Sequence, residues 1–177
     1  MPLAAMRFFF PYLLNLVAGT ALVLGTTGCD SNQIIDQNED LKSPSGEPYV
    51  WAVQNKPTFT FSITDTSQPY DVYLNIRNAA DYEYYNLYVK VTLTDPLGKP
   101  VSKLLHQMLL LDPQTGEPRG RGTGDIYDHQ ILALPNQQFQ QPGRYTIRLE
   151  QYMRQDQLRG IMAVGVRVAP HQTAQKE

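Results

Sequence analysis

Between residues 58 and 168 apolar and polar side chains alternate in short runs with the two-residue period of half-buried β-strands. Residues 58–64 place Phe59, Phe61 and Ile63 on one face, and residues 71–77 do the same with Val72, Leu74 and Ile76. Residues 85–93 form the longest clean alternation, with Leu87, Val89, Val91 and Leu93 inward and Tyr88, Lys90 and Thr92 outward. Tyr145, Ile147 and Leu149 define another inward face, and Met162, Val164, Val166 and Val168 define the last. Residues 126–134 read as a strand returning from a glycine-rich hairpin. Residues 101–111 fit two periods. Val101, Leu104, Leu105 and Met108 sit at helical spacing, whereas Leu104, His106, Met108 and Leu110 sit at strand spacing. With strands on both sides, a strand is expected there.

Turn signals separate these runs, among them Asp95-Pro96-Leu97-Gly98 and Pro142-Gly143. Seven or eight short strands joined by such turns predict an all-β protein, a single antiparallel β-sandwich of jelly-roll or immunoglobulin-like type over residues 49–170. Residues 171–177 read as a loose tail. Residues 29–48 are polar and acidic and read as a tether, with room for a short edge strand at Ile34 and Ile35.

The N-terminus has a different pattern. One positive side chain, Arg7, precedes an apolar stretch from Phe8 to Val23, and Gly25, Thr26, Thr27 and Gly28 then lead into Cys29, the only cysteine. Charge, apolar run and small residues in that order describe a secretory signal. A cysteine directly after the small residues adds the mark of a lipoprotein. Residues 1–28 are therefore expected to be cleaved as a lipoprotein signal peptide, leaving Cys29 to carry the lipid. Thr26 occupies a position where lipoprotein signals usually have leucine. Asp30 follows the cysteine, a residue that marks inner-membrane retention in other bacteria, and the folded part is expected to face the periplasm rather than the cell surface.

The 177 residues suffice for one domain, and the net charge of −2, with no run of basic residues, gives no basis for nucleic-acid binding. A lone cysteine excludes an internal disulfide.

The order of several motifs resembles the gliding-motility lipoprotein GldH family of the Bacteroidota. They are Phe59-x-Phe61, Tyr73-Leu74-x-Ile76-Arg77, Tyr84-Tyr85-Asn86-Leu87-Tyr88, Gly122-x-Gly124-Asp125-Ile126, Gly143-x-Tyr145, Gln151-Tyr152-Met153-Arg154-x-Asp156-x-Leu158-x-Gly160-Ile161 and Val164-Gly165. The resemblance spans roughly residues 29–168. It implies a membrane-anchored envelope protein that acts without catalysis or cofactor, alongside other motility or type IX secretion proteins. The sequence departs from the family at Pro118-Arg119, where an aromatic is expected between two glycines.

Few constellations carry chemistry. The loop from Gly116 to Gly124 lacks the lysine and following helix of a phosphate cradle, yet Arg119 and Arg121 make it a candidate contact loop. Asp125, Asp128 and His129 lie close in sequence, but at a spacing that is weak for metal. A hydrolase built on paired carboxylates is the weakest reading, because such pairs form only in space. Tyr82, Tyr84 and Tyr88 share one face if the strand starts early, and would give an alternative function as a carbohydrate-binding surface lipoprotein. Arg77 and Arg154 are further candidates for partner contact, or for holding Asp81 or Asp156 locally.

Overall fold

The computed structural model describes residues 33–172, and Cys29 lies outside the described residues. Eleven strands make up the fold: β1 (Ile35–Asp40), β2 (Val50–Ala52), β3 (Thr58–Ile63), β4 (Tyr70–Ala79), β5 (Asn86–Thr94), β6 (Pro100–Leu109), β7 (Arg121–Thr123), β8 (Ile126–Gln137), β9 (Gly143–Gln151), β10 (Gln157–Arg159) and β11 (Ile161–Pro170). A five-stranded sheet in the order β1-β11-β4-β8-β7 packs on a four-stranded sheet in the order β3-β9-β5-β6, and β10 and β2 form a small ribbon. All pairings are antiparallel. This is the expected all-β sandwich, with β6 where residues 101–111 allowed either helix or strand.

The inner faces follow the alternation. Val72, Leu74 and Ile76 of β4 meet Val168, Val166 and Val164 of β11 in register. Leu87, Val89, Val91 and Leu93 from β5, with Ile147 and Leu149 from β9, close the core from the other sheet, each 1% exposed or less. Near one end Phe139 packs edge-to-face against Phe61, Tyr70 and Tyr145, with ring centroids 4.6–5.9 Å apart.

Two local readings change. Met162 is not part of the inward series, because a bulge between Ile161 and Ala163 shifts the register there and buries Ile161 instead. The edge strand at Ile34 and Ile35 extends to Asp40 and pairs with β11 along its length. Its alternation is invisible because an edge strand has little core beneath it: Ile35 is buried and the five residues that follow are exposed.

The sandwich has two unlike ends. Residues 64–69, 95–99 and 138–142 make the short connections, at the end where β1 begins and β11 finishes. Residues 41–49, 80–85, 110–120 and 152–156 make the connections at the opposite end, of which 41–49 and 110–120 are the long ones. Gly160 belongs to that second group. Its φ of +82° is a left-handed conformation, and a Cβ there would sit 3.0 Å from Tyr82 Cα.

Two inward-facing histidines tie stability to pH. His129 bonds Asn78 Oδ1 at 2.8 Å through Nε2, and His106 lies in the half-buried margin of β6. Burial lowers the pKa of both below 6.5, with the Asp128 carboxylate partly opposing this for His129. The folded state thus binds fewer protons than the unfolded chain. Stability is complete above about pH 6.5 and falls as pH drops below it, until the folded values are passed. Melting temperature is expected to fall between about pH 7 and pH 5, and to fall less steeply in His129→Gln.

Candidate functional site

The outer face of the five-stranded sheet carries a groove of about 600 Å³. It forms where the outward residue of β11 is the small Ala163. Ala163 and Gly165 of β11 lie between β1 and β4, while longer polar side chains rise on either side. Strand register assembles this rim. Asn75 on β4 donates to Asp36 on β1 at 2.7 Å and accepts from Gln130 on β8 at 3.1 Å. Arg77 lies directly across from Asp128 in the β4–β8 ladder and grips it through Nε at 2.8 Å and Nη2 at 3.2 Å. Both partners are about half exposed, so the pair orients the guanidinium more than it stabilises the fold.

The glycine-rich connection adds two more arginines to the rim. Asp112 accepts from Arg119 at 2.8 Å and from the amides of Gln114 and Thr115. These bonds bring its pKa down to about 2, the Arg119 hydrogen bond contributing most. The loop is thereby held in shape while Arg119 still lines the groove. Arg121, on β7, also lines it and makes no ion pair among the described residues. Arg77 on β4 and the neighbouring Arg119 and Arg121 thus share one concave surface with Asp36 and Asp128.

Other candidates are placed differently. Tyr82, Tyr84 and Tyr88 do not share a strand face, because β5 starts only at Asn86. Tyr82 is buried in the β4–β5 connection, and its hydroxyl donates to the Asn86 carbonyl at 2.9 Å. Tyr84 packs edge-on against it at 5.7 Å, with its hydroxyl accepting from Gln155 at 3.2 Å. Tyr88 is half-buried on β5, its amide 3.4 Å from Met153 Sδ. Burial of Tyr82 pushes its hydroxyl pKa far up, which suits a structural phenol. No flat tyrosine platform for a sugar ring results. Arg154 is exposed on the β9–β10 connection, away from the groove lining. Arg77 holds Asp128 rather than Asp81, because the cross-strand partner is nearer than the turn.

Asp128 and His129 are adjacent on a strand and therefore point to opposite faces, Asp128 to Arg77 and His129 to Asn78. Asp36, Asn75 and Gln130 were not singled out by the sequence. Their one signal is a polar residue at an outward position of a strand, which alone does not distinguish a groove from a solvated face.

The profile of the GldH lipoprotein family matches residues 34–168. A gliding motility lipoprotein GldH homolog of Christiangramia forsetii is 28% identical over 149 residues, covering 80% of this chain and 86% of the relative. Gliding motility lipoprotein GldH of Flavobacterium johnsoniae is 26% identical over 148 residues, covering 79% of this chain and 86% of that protein. The profile match runs from just before β1 almost to the end of β11, so it takes in both sheets and the whole rim of the groove, and the chain belongs to the GldH lipoprotein family.

Proposed function

We propose that this chain is a lipid-anchored protein of the cell envelope that works without catalysis, as a component of gliding-motility and type IX secretion-associated machinery. The lipid would sit on Cys29, and the domain would face the periplasm. The observation that carries the reading is the arginine-rimmed groove. It offers three guanidinium groups on a concave polar face. Such a surface fits a protein partner with carboxylates on its contact face, since guanidinium pairs well with carboxylate in two-point geometry. The names of both relatives, and the chain's membership of their family, support the motility assignment.

The test is a charge reversal that leaves the fold intact. Arg77→Glu combined with Arg121→Glu alters two exposed positions, and is expected to change stability by less than about 1 kcal/mol. In cells lacking the native gene, the double variant is expected to accumulate normally yet fail to restore gliding. Crosslinks formed from Gln130 in the unaltered protein should disappear in it. Full gliding by the variant with crosslinks retained would dismiss the groove as the contact surface.

A further inference from the structure

The groove occupies one face of the sandwich, and the opposite face is built for a different surface. The outward residues of the four-stranded sheet are Thr58, Thr60 and Ser62 on β3, Arg144, Thr146, Arg148 and Glu150 on β9, Tyr88, Lys90, Thr92 and Thr94 on β5, and Val101, Lys103, Leu105, Gln107 and Leu109 on β6. Lys56 joins them by reaching Glu150. This face therefore holds Lys56, Lys90, Lys103, Arg144 and Arg148 against the single carboxylate of Glu150, in a chain whose net charge is −2. Glu150 is held between Lys56 at 2.9 Å, Lys90 at 3.3 Å and Arg148 at 3.5 Å. It neutralises only part of that charge. The outer face of the five-stranded sheet, by contrast, balances Asp36, Asp40 and Asp128 with Arg77, Arg121 and Arg167.

Apolar groups border the basic face along one edge. Val101 and Leu105 recur along the outer side of β6, 48% and 52% exposed, while Leu109 at the far end of the strand lines the groove. At the tip of the β5–β6 turn Leu97 is 82% exposed, beside Lys99. A cationic face edged by exposed aliphatic side chains is the composition of a surface that rests in the headgroup region of a bilayer.

We infer that the outer face of the four-stranded sheet lies on an anionic lipid surface, with Leu97 and the β6 aliphatics dipping into it. This orientation rests on the anchor reading of Cys29. The short-loop end, where Leu97 lies, is also the end where β1 begins, and Ile35 follows Cys29 by six residues. Six residues span at most about 20 Å when extended, more than the roughly 10 Å between packed sheets. The lipid can therefore stay in the bilayer while the far sheet stays above it. The same orientation turns the arginine groove away from the membrane, toward soluble or neighbouring partners.

The test uses the acylated chain in vesicles. Because Cys29 is the only cysteine and is blocked by its lipid, Leu97→Cys provides a single thiol for a polarity-sensitive fluorophore. Gln130→Cys on the opposite face provides the reference. In vesicles containing phosphatidylglycerol the first label is expected to be blue-shifted and quenched by brominated lipid, while the second stays in water. Adding Lys103→Gln and Arg144→Gln should move the equilibrium away from the lipid-facing orientation by about 25-fold, roughly fivefold for each cation. Both labels in water on every vesicle, with the protein still floating with them, would overturn the inference and leave the anchor standing. Flotation with anionic vesicles but not with neutral ones would do the reverse, removing the anchor and supporting the basic face. Flotation with neither would dispose of both.

Discussion

Trp51→Ala is expected to destabilise the protein by about 3–5 kcal/mol, a large share of the stability of a domain this size. Trp51 is fully buried, and its indole N–H donates to the Asn55 carbonyl at 2.9 Å. It sits in the middle of β2, opposite Leu158 of β10, in a ribbon of three residue pairs. So short a ribbon has too few backbone bonds to persist alone, and burial of Trp51 and Leu158 is what fixes it to the sandwich. Truncation removes that burial and leaves a cavity under the long-loop end. Denaturant titration should show a lower midpoint, and hydrogen exchange should show early opening of residues 50–52 and 157–159. An unchanged midpoint would mean that the ribbon does not belong to the cooperative unit.

Gly165→Val is expected to release β1 from the sheet at a cost of about 2–3 kcal/mol, within the range for loss of buried aliphatic contacts and strand pairing. A Cβ at position 165 would overlap Asn38 Oδ1 and the Gln37 carbonyl oxygen. The side-chain atom can swing away. The carbonyl belongs to the β1–β11 ladder, where Gln37 pairs with Val166, and cannot move without breaking it. Release of β1 uncovers Ile35 and Leu41, 7% and 3% exposed in the intact fold. The amides of Ile34 and Leu41, which donate to Val168 and Met162 at 2.8 Å, should lose their exchange protection first. Retained protection would show that β1 tolerates the side chain.

These two positions differ in how visible they were. Trp51 is the single tryptophan of the chain and lies just inside the domain expected from residue 49, and strict alternation reveals the faces of β3, β4, β5 and β9 because each lies over the core on one side only. Gly165 had an ordinary place in an alternating run, and nothing in the sequence told of the strand crossing beside it. β1 was mostly hidden because its residues after Ile35 face solvent. The bulge at Met162 was hidden because periodicity assumes an unbroken register. The groove was the least legible feature of all. Arg77 was one candidate and the Arg119–Arg121 loop another, but Asp36, Asn75 and Gln130 meet only through pairings between strands distant in the chain. The tyrosines misled because Tyr82 lies in a connection, where two-residue spacing carries no facial meaning.

The orientation inferred for the sandwich joins these elements into one picture. A basic face would meet the bilayer, the anchor would enter near the short loops, and the groove would face the opposite way. Anchoring is the premise on which the rest depends. The most direct measurement is fractionation and motility of cells carrying Cys29→Ala as their sole copy. The account predicts an intact protein recovered in the soluble fraction, and cells that no longer glide. Gliding cells with the variant in the soluble fraction would contradict it.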